Sequence, residues 1–330
     1  MFKNVRLNYT KNIMQHIDIV NKGVMAMAEQ KELIVKDDHG VEHNLYNLPK
    51  GFVFEGSIRI WDYNLEELPD LSEVTVTGDF CCGDETLTSL KGSPKEVGGR
   101  FSCFRGNLKN LEGAPKKVGG SFRCGECHLI SLEGAPEKVG GEFYCEANNL
   151  KTLKGAPKEV GGDFRCSFND LESLEGAPEK VGGDFRCTNT YISSLKGAPK
   201  EVGGSFYCYA NQLTSLEGVP ENVGGVFGCD VNPLISLYPL PKCETVFSDE
   251  NLLRKYTSAV KNNCKTHYQN IVQSEVYQRE KLILESLQKT RAKIDAKHET
   301  DAPSQAQEPK TNSQDAVIAQ MIQDKKVQSM

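Results

Sequence analysis

Two short motifs in this chain have the spacing of known metal and haem chemistry. Residues 124–128 read CGECH, which matches C-x-x-C-H, the attachment signature of c-type haem. Residues 39–43 read HGVEH, which matches H-x-x-E-H, a zinc-protease signature that needs both histidines on one helical face. The chain also has twelve cysteines, enough for disulfide, metal or redox chemistry. Each possibility depends on the elements that position these residues.

A 21-residue repeat sets those positions. Phenylalanine recurs at this interval, a cysteine follows two residues later, and Leu or Ile follows five and eight residues after the cysteine. The phenylalanines are Phe80, Phe101, Phe122, Phe143, Phe164, Phe185, Phe206 and Phe227. The cysteines are Cys82, Cys103, Cys124, Cys145, Cys166, Cys187, Cys208 and Cys229. Seven of the eight copies continue with Gly-x-Pro and a Val-Gly-Gly step.

The spacing within the repeat predicts a stacked fold. Phe-x-Cys alternates with period two, so it predicts a very short strand with both side chains pointing inward. Glycine and proline provide the corners. One turn cannot bury its own core, so the turns must stack with their strands paired in parallel. A degenerate copy with Ile58, Ile60, Leu65 and Leu68 brings the total to about nine turns. The predicted fold class is a mainly β repeat solenoid.

The repeat resembles the leucine-rich repeat, L-x-x-L-x-L-x-x-N-x-L, over about residues 58–238. Phe164 stands at the second Leu, Cys166 at the third and Asn169 at the Asn. It departs from the family because Gly161 stands at the first Leu. The Asn position is kept only at Asn148, Asn169, Asn211 and Asn232. The resemblance implies a concave sheet that binds ligands; a generic β-solenoid is the alternative.

The Gly-Ala-Pro-x-x-Val-Gly-Gly units support a second, looser resemblance. Together with the entry LPKGF at residues 48–52, they are similar to repeats of bacterial and bacteriophage proteins of unassigned role, some of them termed RIIB-like. That resemblance lies in the repeat region alone, so no role and no functional residue is transferred from it.

The repeat also gives an alternative explanation for both metal motifs. Cys124 is a repeat cysteine and should face inward, and stacked strands separate successive thiols by roughly 4.8 Å with parallel side chains. We therefore expect small buried hydrophobic side chains in a reducing compartment, with no disulfide, metal or cofactor. Residues 37–40 predict the turn of a hairpin, which removes the helical face that zinc would need. No phosphate loop or nucleophile elbow is found, so no enzymatic activity is expected.

Binding is expected on the outward side of the strands. The residue between Phe and Cys points outward there, and Arg and Tyr, which are common at interface hot spots, fill the middle positions. The candidate partner-binding residues are Arg123, Tyr144, Arg165, Arg186, Tyr207 and Tyr209. In the alternative interpretation, Arg165 pairs with Asp163, Arg186 pairs with Asp184, and the tyrosines stack between guanidinium groups. The neighbouring acidic residues make nucleic acid an unfavourable partner.

The regions outside the repeat suggest four parts: an N-terminal helix and β-hairpin cap (1–57), the solenoid (58–247), an α-helical segment (248–298) and a disordered tail with a short amphipathic segment (299–330). We expect the hairpin to shield the first strand edge. The helical segment has an apolar stripe at Leu253, Tyr256, Val260, Cys264, Tyr268 and Ile271. It either caps the last turn or mediates self-association.

Charge and hydropathy argue against some classes of partner and location. The net charge is −6, which argues against general attraction to nucleic acid. No apolar run approaches the ~20 residues of a membrane span, and no signal peptide is evident, so a cytoplasmic protein is expected. Charges on the turns alternate in sign from one repeat to the next, as at Lys138, Glu159, Lys180 and Glu201, which places opposite charges on stacked neighbours.

Three functional hypotheses follow. The first is a non-enzymatic module that binds a protein partner through the outward strand face. The second is a structural spacer or assembly scaffold that uses the C-terminal helix, with a phage-related RIIB-like role as a further possibility. The third is a cysteine-based redox or metal protein, which would require reactive thiols or a bound metal.

Overall fold

The computed structural model describes residues 32–257 and 265–300. Residue contacts divide the chain into two units, 1–281 and 282–330, and in the second unit only helical residues 282–300 are described. The first unit is a parallel β-solenoid of about nine turns, and a typical turn contributes one strand to each of two sheets. The predicted mainly β solenoid is therefore confirmed.

The larger sheet, here called the Phe-Cys sheet, has eleven strands that include the Phe-x-Cys positions. Its strands are β4 (Ile58–Arg59), β6 (Phe80–Cys81), β8 (Phe101–Ser102), β10 (Phe122–Arg123), β12 (Phe143–Tyr144), β14 (Phe164–Arg165), β16 (Phe185–Arg186), β18 (Phe206–Tyr207), β20 (Val226–Gly228), β21 (Thr245–Phe247) and β22 (Lys265–His267). Pairing is parallel from β4 to β21, and each repeat phenylalanine lies opposite the next one.

The smaller sheet, here called the Val-Gly sheet, was not predicted. Its nine strands are β3 (Val53–Phe54), β5 (Thr75–Val76), β7 (Glu96–Val97), β9 (Lys117–Val118), β11 (Lys138–Val139), β13 (Glu159–Val160), β15 (Lys180–Val181), β17 (Glu201–Val202) and β19 (Asn222–Val223). In the sequence this part of each repeat resembles a corner, because a two-residue strand is too short to show an alternating pattern. Strand β3 lies within the segment that had been assigned to the N-terminal cap.

The core between the sheets is a set of ladders of identical side chains. The eight repeat phenylalanines are fully buried, and their rings stack with centroids 4.9–5.9 Å apart. The repeat cysteines are also buried, as are the valines of the Val-Gly sheet from Val76 to Val223; Val53 in the first strand of that sheet is exposed. The prediction that Phe and Cys point inward is confirmed. Because every ladder runs through successive turns, the burial of each side chain depends on its copies in the turns on either side.

Glycine brings the turns together at the position where the leucine-rich-repeat pattern expects its first Leu. A Cβ atom on Gly161 would lie 2.1 Å from the carbonyl oxygen of Gly140 in the preceding turn. The same approach recurs at Gly140, Gly182, Gly203 and Gly224, at 2.0–2.3 Å. Any side chain here would collide with backbone, which explains this departure from the pattern.

Asparagine side chains join the backbones of neighbouring turns. Asn169 Nδ2 donates to the carbonyl oxygens of Cys145 (3.0 Å) and Cys166 (2.9 Å), while its Oδ1 accepts from the amide of Leu150 at 3.1 Å. In turns without Asn, the Cys127 thiol donates to the Cys103 carbonyl oxygen of the preceding turn, and the Thr190 hydroxyl lies within hydrogen-bond distance of Asn211 Oδ1 in the next turn (3.0 Å). Hydrogen bonds between neighbouring turns therefore also occur at positions where the repeat has no Asn, so these bonds are more continuous than the four asparagines alone would provide.

The hairpin at the N-terminal end forms a separate sheet. Strand β1 (Ile34–Lys36) pairs antiparallel with β2 (Glu42–Asn44), and a 3₁₀ turn follows at Leu45–Asn47. The His43 ring packs on Phe52 and Phe54, at centroid distances of 5.2 and 5.5 Å. The hairpin therefore lies against the β3 side and does not pair with β4, whose edge it was expected to shield.

The segment after the repeats differs from the unbroken helical stripe that was expected. It contains α1 (Glu250–Arg254), strand β22, α2 (Tyr268–Val272) and α3 (Glu275–Thr300). Strand β22 interrupts the helical pattern because it pairs antiparallel with β21. This pairing provides hydrogen-bond partners for the otherwise unpaired edge of β21. Leu253, Tyr256 and Ile271 are buried as the stripe predicts.

Several predictions fall outside the described residues. They are the helix in residues 1–30, the stripe positions Val260 and Cys264, and the tail from residue 301 onward. Among the helices that are described, none is both long and apolar enough to cross a membrane.

A left-handed residue recurs two positions after the cysteine in seven turns, at φ 53–64°. The residues are Arg105, Glu126, Ala147, Phe168, Asn189, Ala210 and Val231. None is glycine, the residue that adopts this conformation without steric cost. The conformation is thus imposed by the turn, and it is most unfavourable for the β-branched Val231.

Replacing Val231 with glycine should raise the free energy of unfolding by about 0.5–1 kcal/mol, because the steric cost of positive φ is removed. Thr214→Gly is the matched control: Thr214 is also exposed and β-branched, but it is not among the residues at positive φ. The free energy of unfolding of this control should fall by about 0.5–1 kcal/mol, because glycine gives the unfolded chain more conformational freedom. Denaturant unfolding measures the stability of both variants. Equal losses of stability would contradict the interpretation that the turn imposes positive φ on Val231.

Candidate functional site

The six predicted binding residues lie together on the outward side of the Phe-Cys sheet, here called the strand face. Arg123, Tyr144, Arg165, Arg186 and Tyr207 are direct partners on successive parallel strands. They form one line with roughly 4.8 Å between neighbours. Tyr209 lies beside the end of this line, its ring edge-on to Tyr207 at a centroid distance of 6.2 Å. The register of the turns therefore assembles residues that are up to 86 positions apart in sequence.

Ion pairs hold the three arginines in place. The Glu142 carboxylate lies between two of them, 3.2 Å from Arg123 Nη2 and 2.8 Å from Arg165 Nε. Arg165 Nη2 is also 2.9 Å from Asp163 Oδ2. Arg186 Nη2 contacts Asp184 Oδ2 at the same distance. The pairings foreseen in the alternative interpretation are thus present, yet the arginine side chains remain 33–43% exposed.

The same aspartates also bind backbone. Asp163 Oδ1 accepts from the amide of Asp184 at 2.8 Å, and Asp184 Oδ1 accepts from the amide of Ser205 at 2.8 Å. Ser205 continues the series, because its hydroxyl oxygen accepts from the amide of Val226. From the sequence alone, these residues are predicted only to neighbour the arginines. The sequence feature that could have indicated these backbone hydrogen bonds is the small polar residue that follows Gly-Gly in several repeats.

Local electrostatics favour the charged forms in this network. Burial acts to raise the pKa of Asp163, but the Asp184 amide and the Arg165 guanidinium outweigh it and hold that pKa below its usual value. Burial likewise acts to lower the pKa of Arg165, but Asp163 and Glu142 raise it overall. Both residues therefore stay ionised at neutral pH, as a fixed pair of opposite charges.

The tyrosines lie against glycines of neighbouring turns. A Cβ atom on Gly125 would lie 2.2 Å from Tyr144 Cε1, and one on Gly228 would lie 2.9 Å from Tyr207 Cδ1. The other side of Tyr207 faces Arg186, whose Cζ is 4.9 Å from the ring centroid. Burial and nearby Glu146 raise the pKa of Tyr144 to about 12, so its hydroxyl keeps its proton. The rings are therefore fixed contact surfaces with hydroxyl groups at their ends.

The C-x-x-C-H residues do not form an accessible site. Cys124 and Cys127 are fully buried, and the Cys127 thiol donates to the carbonyl oxygens of Cys103 and Gly125. Burial holds the pKa of Cys124 far above its ordinary value, which disfavours the reactive thiolate. All eleven cysteines in the described residues are free.

The H-x-x-E-H residues lie in the hairpin, and their histidines contact different carboxylates. His39 Nε2 is 2.6 Å from Glu55 Oε2, whereas His43 Nε2 is 2.9 Å from Asp37 Oδ2. The hydrogen bond from His43 lowers the pKa of Asp37. Among the side chains that the structure describes, no group of three or more His, Cys, Asp or Glu is arranged to hold a metal ion.

Comparisons of the chain with models of protein families, with curated proteins and with solved structures found no match. The class of protein is therefore defined by the structure itself: a β-solenoid of about nine turns, built from 21-residue repeats. Its function has to be argued from its own surfaces.

Asp163→Ala should lower the free energy of unfolding by about 1–3 kcal/mol, because the Asp184 amide and Arg165 both lose an acceptor. Asp163→Ser should recover part of this loss, since Ser205 accepts the following amide at the equivalent position. The exposed Glu179→Ala is the control and should change little. Denaturant unfolding of the three variants checks the order; equal stability of all three would contradict the role of Asp163.

The difference between wild type and Asp163→Ser should depend on pH. The folded pKa of Asp163 is depressed, so its contribution is present above the unfolded carboxyl pKa of about 3.9 and is lost as the pH falls through the folded value. Unfolding measured across the acid range should show that the free energies of unfolding of the two proteins converge at the lowest pH. A constant difference would contradict stabilisation by the ionised carboxylate.

Proposed function

We propose that this chain is a non-enzymatic, leucine-rich-repeat-like solenoid that binds another protein through the strand face. The observation that carries the proposal is the line of five in-register Arg and Tyr side chains, extended by Tyr209. These residue types supply large contact area and directional hydrogen bonds, and they dominate interface hot spots.

Rigidity supports a binding role for this line. Each arginine is held by at least one carboxylate, and two of the tyrosines lie against glycine. A partner therefore meets side chains whose conformations are already restricted, which lowers the entropy lost on binding. The turns can exchange outward residues without disturbing the buried ladders, and this is how repeat proteins acquire specific surfaces.

The charge balance of the strand face favours a protein over a nucleic acid. The three arginines are accompanied by Glu142, Glu146, Asp163 and Asp184. Acidic groups beside each guanidinium oppose the close approach of phosphates, and a nucleic acid would gain little from releasing counterions here. A mixed surface of aromatic rings, hydroxyls and paired charges is better matched by another folded protein or by an extended peptide.

The leucine-rich-repeat assignment is part of the proposal and is supported by the asparagine ladder. Asn148, Asn169, Asn211 and Asn232 each donate to carbonyl oxygens in two turns, at the position where the family pattern places its Asn. A phage-related, RIIB-like role is the alternative that rests on the Gly-Ala-Pro-x-x-Val-Gly-Gly units. A cytoplasmic location is supported by the free, buried thiols, which suit a reducing compartment.

A structural spacer is the second candidate function, and one observation favours it. The guanidinium groups of the strand face already pair within the chain, so their charge is balanced without any partner. In that case the solenoid separates its two ends, and α3 would mediate assembly through exposed apolar residues such as Leu282 and Ile283. The two candidates differ in whether the strand face selects a ligand.

The distinguishing experiment compares two variants altered in matching turns. The strand-face variant is Arg186→Gln/Tyr207→Ser/Tyr209→Ser. The control is Lys180→Gln/Glu201→Ser/Asn222→Ser, which changes three exposed residues on the Val-Gly sheet. Both are first checked for cooperative unfolding like wild type, and each is then used as bait in native lysate with mass spectrometry. We expect a protein that wild type and the control capture and the strand-face variant does not.

Other outcomes would point elsewhere. A partner retained by both variants, or lost by both, would contradict binding through the strand face. Absence of any specific partner in all three samples would favour the spacer, whose assembly is then measured by sedimentation of wild type.

A further inference from the structure

The N-terminal end of the solenoid leaves a strand edge uncovered among the described residues. Strand β4 is the last strand of the Phe-Cys sheet at this end. The hairpin contacts the other side of the same turn, where the Asp38 amide donates to the Glu55 carbonyl oxygen at 2.9 Å. Unpaired strand edges promote aggregation, and repeat proteins usually cover their terminal turns.

Two aromatic residues extend this uncovered end. Trp61 and Tyr63 come two and four residues after the end of β4, and their exposed fractions are 53% and 51%. The repeat phenylalanines, in contrast, are fully buried. Two half-exposed aromatic side chains beside an open strand edge form an apolar surface of the kind that another segment covers.

The charge around this surface is mainly negative, and the basic residue of β4 itself, Arg59, is paired with Asp79, its Nη2 lying 3.7 Å from Asp79 Oδ2. Residues 60–90 contain eight acidic residues and no Lys or Arg. The acidic residues Asp62, Glu66, Glu67 and Asp70 are all exposed. A segment that covers Trp61 and Tyr63 therefore meets a strongly negative border and should itself be basic.

Residues 1–31 of the same chain have the matching chemistry. They contain five Lys or Arg and two acidic residues, a net charge of +3. Ile13, Ile17, Val20 and Val24 recur at three- and four-residue steps, which predicts one apolar helical face. This segment joins the hairpin directly, so it is tethered at the same end of the solenoid.

We propose that residues 1–31 bind over the first turn of the solenoid and cover Trp61, Tyr63 and the outer edge of β4. The apolar residues pack on the aromatic rings, and the basic residues face the acidic border. The tether keeps the segment at a high effective concentration, which compensates for a contact of modest area. This inference does not depend on what the strand face binds.

Trp61 provides a direct test, because it is the only tryptophan in the chain. Its fluorescence and acrylamide quenching are compared in the full chain and in a chain lacking residues 2–31. If the docked segment covers one side of the ring, the quenching constant of the full chain should be about half that of the shortened chain. A synthetic peptide of residues 1–31, added to the shortened chain, should restore the protection.

A second pair of variants tests the charge match in the full-length chain, should the shortened chain unfold. Lys3→Glu/Arg6→Glu/Lys11→Glu should raise Trp61 quenching towards the value of an uncovered ring. Lys109→Glu/Lys151→Glu/Lys200→Glu makes the same charge change on exposed residues of later turns and should not alter quenching.

Two results would overturn the proposal. One is equal quenching of Trp61 in the full chain, the shortened chain and both charge variants. The other is protection that appears only as protein concentration rises, because that would identify a second copy of the chain as the covering element.

Discussion

Stacking of identical side chains in phase is the interaction on which the rest of this structure depends. Each phenylalanine ring lies 4.9–5.9 Å from the next, and each ring is buried by the turns around it. A pair of two-residue strands has no stability of its own, so burial has to be shared along the ladder. The constant interval of 21 residues is the requirement that keeps all ladders aligned.

The same alignment organises the surface. A residue type placed once per turn becomes a line of neighbours, as at the strand face. Oppositely charged residues on the Val-Gly sheet meet in the same way: Lys138 Nζ is 2.6 Å from Glu159 Oε2, and Lys180 Nζ is 3.5 Å from Glu201 Oε2. Such exposed pairs add little stability individually, but their alternating sign avoids repulsion between turns. Surface chemistry can therefore vary while the core repeats.

The repeat made the fold predictable, because a pattern seen eight times outweighs a weak local signal. It predicted the inward direction of Phe and Cys and placed the six strand-face residues together. It did not predict the Val-Gly sheet, whose strands are two residues long, nor β22, which forms because β21 offers an open edge. The pairing of Arg165 with Glu142 was also missed, since it joins side chains of neighbouring turns that are 23 positions apart.

The most direct test of in-phase stacking compares two deletions that start at the same residue. Removing residues 155–175 deletes one whole repeat and joins Lys154 to Gly176, which restores the Gly-Ala-Pro sequence in register. Removing only residues 155–164 deletes less chain but leaves an incomplete turn at the junction, which interrupts every ladder there. Thermal unfolding followed by circular dichroism should show a cooperative transition close to that of wild type for the longer deletion and a severe loss of stability for the shorter one. Equal destabilisation by the two deletions would contradict a fold held together by stacked 21-residue turns.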